Sequence, residues 1–209
     1  MGSGDEEYQA IIWAEMVTSF AMEVGLVVRG MIWPALEVVA LEHRLREGEF
    51  ILLASRSPIV SAGRARLFGK ALFAGYERDF TEALHLLVPQ IEHMVRSHLK
   101  AAGVKTTNLD KKGIENETGL SALMELPEVE KIFGEDIAFE IKALFCDPLG
   151  PNLRNELAHG LLDDDQSESI YSIYAWWLGL KLVFIPFWSS LRKADAPGGT
   201  GEEPELVIE

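Results

Sequence analysis

Apolar residues return every three to five positions through most of this chain, a spacing that suits helices and little else. From Ile12 the series runs through Val17, Phe20, Val24, Val27, Met31, Leu36 and Val39, while Glu15, Ser19 and Glu23 keep the opposite face polar. A long helix is therefore expected over 8–41. Pro34 should kink or split it, because proline lacks an N–H and crowds the preceding turn. Leu84, Leu87, Val88, Ile91, Val95 and Leu99 form a second stripe and predict a helix over 79–102. Asp79 and Glu82 stand at its start with the spacing that lets side chains serve otherwise unpaired amides, and Gly103 is placed to end it. Between these helices, Ser57-Pro58 and Ser61-Ala62-Gly63 read as a connector, followed by a helix to about Tyr76.

Residues 103–119 hold three glycines and two asparagines and read as a long surface loop. Short helices are expected over 120–126, 127–133 and 135–145. Asp147-Pro148 breaks the chain, Pro151 is placed to begin another helix, and Gly160 to stop it. An acidic loop, Asp163-Asp164-Asp165, leads to a last long helix over 168–191. No repeat and no strand is apparent, so the expected class is all-α.

Charge narrows the functions such a bundle can have. The 209 residues carry 33 acids against 19 lysines and arginines, a net charge of −14. That balance lacks the broad basic footprint of a nucleic-acid binder, so any such role must rest on a local patch. The one basic concentration is Arg56, Arg64, Arg66, Lys70 and Arg78; Arg64, Arg66, Lys70 and Arg78 are candidates to guide a phosphate backbone, against the plainer reading of a solvated helix face. The single cysteine, Cys146, cannot form an internal disulfide, and no basic region precedes an apolar run at the N-terminus. A cytoplasmic setting follows as the expectation. Ile170 to Trp188 approaches membrane-spanning length, but Lys181 sits in its middle and Pro186 near its end, which favours a core or dimer helix.

Most familiar catalytic patterns are missing. There is no glycine-rich phosphate loop, no nucleophile elbow and no pair of histidines at metal-ligand spacing on one helix, so no cofactor or metal is expected. His85, His93 and His98 share a helix at offsets of eight and five, which does not bring two of them to one face, and they read as surface or hydrogen-bonding residues.

The segment Asn152-Leu153-Arg154-Asn155-Glu156-Leu157-Ala158-His159-Gly160 is different. Asn155 and His159, four apart, share a helical face. Arg154 and His159, five apart, converge only if the arginine wraps round, if the helix unwinds near Gly160, or if a second subunit completes the site. The chemistry suits RNA cleavage. A histidine titrating near neutrality can take the proton from a 2′-OH or return one to a leaving 5′-oxygen. A guanidinium can stabilise the extra charge on a pentavalent phosphate, and an amide can orient either group. The alternative is structural: Arg154 pairs with an acid such as Glu156 or Asp163, and His159 sits favourably at a helix C-terminus.

Arg154-Asn155-x-x-x-His159-Gly160 resembles the RNxxxHG signature of a family within the HEPN superfamily (higher eukaryotes and prokaryotes nucleotide-binding). The resemblance extends upstream through His85-Leu86-Leu87-Val88-Pro89-Gln90-Ile91-Glu92 to Arg96, and through Gly134-Glu135-Asp136 and Asn152-Leu153 to Leu161-Leu162. Residues 82–165 match well and 56–81 more loosely. The resemblance implies an antiparallel helical bundle that dimerises along its motif-bearing helices. Its catalytic members are metal-independent endoribonucleases, often toxins or parts of defence systems. For this chain it implies a homodimer with RNA as substrate, Arg154, Asn155 and His159 as the catalytic set, and a regulatory or antitoxin protein as a further partner. On this basis the chain divides into an N-terminal helical region over 1–81, a HEPN-like domain over 82–192 and an acidic tail over 193–209. The alternative is a non-catalytic nucleotide-binding or dimerisation module, including one attached to a membrane.

Overall fold

The structure, a computed structural model, describes residues 3–194. The acidic tail expected over 193–209 therefore lies almost wholly outside the described residues, and Lys193 and Ala194 belong to the last helix. The chain is all-α apart from one small hairpin. The long N-terminal segment is helical throughout, as α1 (Ser3–Val27) and α2 (Trp33–Glu42) joined by a π turn over Val28–Ile32. The wider turn lies just before Pro34, where the proline ring would crowd the carbonyl four residues back. The irregularity expected at the proline is thus absorbed without interrupting the helix. Val17, Phe20, Val24, Val28, Ile32 and Leu36 form its buried stripe.

α3 (Glu47–Arg56) and α4 (Ala65–Tyr76) pack closely as a pair, because Gly69 lies against the Ile51 backbone, where a Cβ would come within 2.5 Å of Ile51 Cα. α5 (Phe80–Ala101) is the central helix. Asp79 Oδ1 accepts the Glu82 N–H at 2.8 Å, and Leu84, Leu87, Val88, Ile91, Val95 and Leu99 are all buried as the stripe predicts. Helices α4, α6 (Leu120–Leu123), α7 (Glu128–Phe133), α9 (Leu153–Ala158), α10 (Asp164–Ser167) and α11 (Ile170–Ala194) all touch it. α8 (Glu135–Phe145) runs beside α7 and α9. One core cluster runs from Val17 to Val183 and draws on both sides of residue 81.

Three local expectations are corrected. The surface loop over 103–119 contains a hairpin, β1 (Thr107–Leu109) antiparallel to β2 (Glu115–Glu117), with Asn108 opposite Asn116. Its strands are three residues each and mostly exposed, so no apolar alternation marks them. The turn is set by Asp110, whose Oδ1 accepts the N–H groups of Lys112 and Ile114, and by Gly113 at φ +78°. The helix expected from Pro151 begins at Leu153, after Asn152 in a left-handed conformation (φ +48°). The acidic loop is a helix start: Asp163 and Gln166 cap each other's backbone and open α10.

Lys181, the charge within the last apolar segment, is paired. Its Nζ lies 3.1 Å from Glu140 on α8, which also accepts the Tyr174 hydroxyl at 3.0 Å. That ion pair satisfies a partly exposed lysine at the margin of the core. Among the described residues two helical segments are long and apolar enough to cross a membrane, Glu7–Glu42 and Asp164–Lys193; about half of the most apolar stretch of the latter is buried in the protein, against about a quarter of that of the former.

Candidate active site

α9 is only six residues long, and its placement follows from its apolar positions. Leu153 is buried and Leu157 packs against the core, one turn apart, which pins one face of the helix. Arg154 and Ala158 come next round the helix and, with Leu157, line a cavity of about 310 Å³ against α5. The other lining residues are Arg64, Val88, Pro89, Glu92, His93 and Arg96. Asn155 and His159 lie a further step round. His159 ends the helix, donating its backbone N–H to the Asn155 carbonyl; its side chain is exposed and outside the cavity lining. Gly160, at φ +65°, turns the chain away, as the motif's last glycine predicts.

Arg154 does pair with an acid, as the structural alternative expects, but the acid is Glu92 on α5 and neither Glu156 nor Asp163. Its Nε donates to Glu92 Oε2 at 3.1 Å, and the other Glu92 oxygen accepts from Arg96 Nη2 at 2.5 Å. Arg96 continues the network to the Thr118 carbonyl (2.8 Å) and to Glu117, whose other oxygen holds Lys100 at 2.5 Å. Glu92 thus tethers the motif helix to α5, and Arg96 tethers α5 to the hairpin end. Burial pushes the Glu92 carboxyl up, but hydrogen bonds and charge from Arg96 and Arg154 outweigh it and hold it below the usual carboxylate range. Only the Nε of Arg154 is used in this way; its two Nη nitrogens make no hydrogen bond among the described residues.

The structure divides the basic candidates. Arg64, in the short 3₁₀ turn over Ala62–Arg64, joins Arg154 at the cavity and forms no ion pair among the described residues. Arg78 lies beyond the other end of α4, in a left-handed conformation (φ +69°), with its guanidinium 5.3 Å from the Trp33 ring centroid. Arg66 is exposed and Lys70 half-buried on α4.

Of the three histidines on α5, His85 and His98 bond backbone carbonyls one turn back, through Nδ1 to Thr81 (2.8 Å) and Met94 (2.9 Å). His93 differs and is the residue that sequence reasoning missed. It lines the Arg154 cavity, its Nε2 is 3.2 Å from Ser97 Oγ, and burial and then the charges of Arg64, Arg96 and Lys100 push its pKa down. The signal was present: Pro89, Glu92, His93 and Arg96 fall at i, i+3, i+4 and i+7, one helical face. Cys146 is half-buried with its thiol pushed up to about 11, chiefly by burial, so it is no ready nucleophile.

On the other side of α9 lies a larger cavity, lined by Asn152, Glu156, Asp165, Gln166 and Tyr171 among others. Its charged lining residues are acidic. The two sides of one short helix therefore differ in sign, and an anion is drawn to the Arg64–Arg154 side. Among the described residues no three His, Cys, Asp or Glu side chains gather as a metal site. Comparison with protein-family models, with characterised proteins and with solved structures finds no match to this chain.

Proposed function

We infer that the chain is a HEPN-type endoribonuclease that works as a homodimer. The observation that carries this reading is the setting of Arg154: Glu92 orients it through its Nε, while among the described residues neither Nη nitrogen makes a hydrogen bond and Arg64, lining the same cavity, has no ion pair. A guanidinium held in that way is preorganised for a phosphodiester, and preorganised charge is usually the largest catalytic term. In the reaction a 2′-oxygen attacks phosphorus as His159 removes its proton, the bond from phosphorus to the 5′-oxygen breaks, and that oxygen takes a proton. The products are a 2′,3′-cyclic phosphate and a free 5′-hydroxyl. Asn155, one turn before His159, orients the imidazole or the phosphate. The exposed position of His159 accords with a cleft shared by two subunits, in which one histidine serves as base and its copy as acid.

The test is cleavage by purified variants. His159→Ala should lose activity with its fold retained, since the side chain is exposed. Arg154→Lys should lose about 10²–10³ in rate, because an ammonium cannot reproduce the fork. Cleavage should persist in EDTA and fail on 2′-deoxy substrates; activity indifferent to both substitutions sinks the mechanism. One observation favours a second reading, a non-catalytic nucleotide-binding module: within a single chain His159 lies outside the cavity that Arg154 lines. A folded dimer inert towards RNA supports that reading.

A further inference from the structure

Three separate elements bring cationic or protonatable side chains to the cavity under α9: Arg64 from the 3₁₀ turn, His93 and Arg96 from α5, and Arg154 from α9. Their existing bonds divide them into two groups. Arg96 is already neutralised: its Nη2 bonds Glu92 and the Thr118 carbonyl, and its Nε lies 3.3 Å from Glu117 without a hydrogen bond. Among the described residues Arg64 has no ion-pair partner, Arg154 keeps its Nη pair unbonded, and His93 uses only Nε2, on Ser97. Glu92 divides its two oxygens between Arg96 and Arg154, so it aims the cations without cancelling all of them. We propose that this cavity is a phosphate subsite in which Arg64, His93 and Arg154 hold one phosphodiester group of a nucleic-acid strand. The proposal adds Arg64 and His93 to the ribonuclease site and rests on that reading for the identity of the strand, though not for the binding of a phosphate.

The size and the chemistry agree. A cavity of about 310 Å³ takes a phosphate and part of its sugar but not a stacked base pair. Arginine forks and an imidazole N–H are the donors that bind phosphate oxygens with charge-assisted hydrogen bonds. It is also a local positive site on a chain of net charge −14, which confines an anion to one place. The groups facing His93 are Arg64 from the turn, Glu92, Arg96 and Lys100 from its own helix, Glu117 from the hairpin and Arg154 from α9. Burial first, and then the prevailing cations, favour the neutral imidazole of His93. A bound anion reverses that balance, so His93 takes up a proton on binding and affinity rises as pH falls through its titration.

The experiment is a titration of the full chain followed by the ring resonances of its five histidines, with inorganic phosphate and with a short oligodeoxynucleotide, which lacks the 2′-OH needed for cleavage. The His93 signal, assigned by its loss in His93→Gln, should shift with both probes and its midpoint should rise. Arg64→Gln should weaken both about tenfold, the loss of one charge-assisted hydrogen bond. Arg44→Gln, an exposed change after α2, should weaken neither. A His93 signal that ignores both probes, or unchanged affinity in Arg64→Gln, overturns the proposal. Binding of inorganic phosphate with the oligonucleotide excluded overturns its assignment to a nucleic-acid strand. RNA cleavage by the same preparations separates the two ideas. Cleavage that survives Arg64→Gln and His93→Gln removes the subsite and leaves the ribonuclease standing. Phosphate and oligonucleotide binding without cleavage does the reverse.

Discussion

Replacing Glu92 with alanine leaves Arg96 and Arg154 facing each other with no anion between them, in a setting where both are mostly shielded from water. The expected cost is about 1–3 kcal/mol, the range for a lost charged hydrogen bond in partial contact with solvent. It should appear as a lower denaturation midpoint and as faster amide exchange in α9. The same carboxylate sets an acid limit. Its folded pKa lies below the ordinary value of 4.5, so its contribution is complete above that value and is lost as pH falls through the folded one. His93 adds a second, milder window. Its folded pKa lies below 6.5, and the unfolded chain gains a proton first, so stability declines as pH drops below 6.5. Glu92→Gln should flatten the stability profile below pH 4.5 and leave the histidine window in place. A variant whose acid limb matches the parent would show that the tether carries no stability.

At the level of elements, the approach of α11 to the α4–α5 pair depends on two glycines. Gly75 on α4 lies directly under the Trp176 indole, whose Nε1 donates to the Leu72 carbonyl at 2.9 Å, and Gly179 on α11 sits against Leu87. A methyl group at position 75 would collide with the indole ring. Gly75→Ala, although favourable for an isolated helix, should destabilise the protein by about 1–3 kcal/mol through overpacking. Chemical denaturation and the fluorescence of the buried indole would register it, and a stabilised variant would contradict the close contact of Gly75 with Trp176. The hairpin is a separate case. It packs no apolar face of its own and depends on the Asp110 turn and on the ion pairs of Glu117, so Asp110→Ala should loosen residues 107–117 while leaving α5 protected from exchange.

At the scale of the whole molecule, two apolar surfaces among the described residues are open to water. One is the outer side of α1 and α2, where Met22, Leu26, Met31, Val38 and Leu41 are exposed, Leu41 to 87%. The other is the end of α11, where Phe184 stacks on Trp188 beside an apolar groove bounded by α2 and α3. Exposed apolar area on this scale usually marks association with another surface. The expected outcome is a stable dimer by sedimentation at micromolar concentration, in buffer without detergent. A stable monomer overturns it, and dispersion only in detergent reassigns both faces to lipid.

The helical class, the central α5 with its cap and stripe, and the termination of α9 at Gly160 could be read from the sequence, because periodicity, capping and glycine chemistry act within a turn or two of chain. The hairpin could not, because three-residue polar strands carry no pattern. Nor could the neighbours of Arg154, since ion pairs form between residues that are distant in sequence. The sequence put Arg154 and His159 on one short helix and offered Arg154 an acidic partner, with Glu156 and Asp163 the nearby examples. Packing of Leu153 and Leu157 into the core turned Arg154 towards Glu92, 62 residues away, and towards Arg64, and left His159 on the outside. The chain by itself determined which residues could do chemistry. Burial of α9 against α5 decided which of them meet.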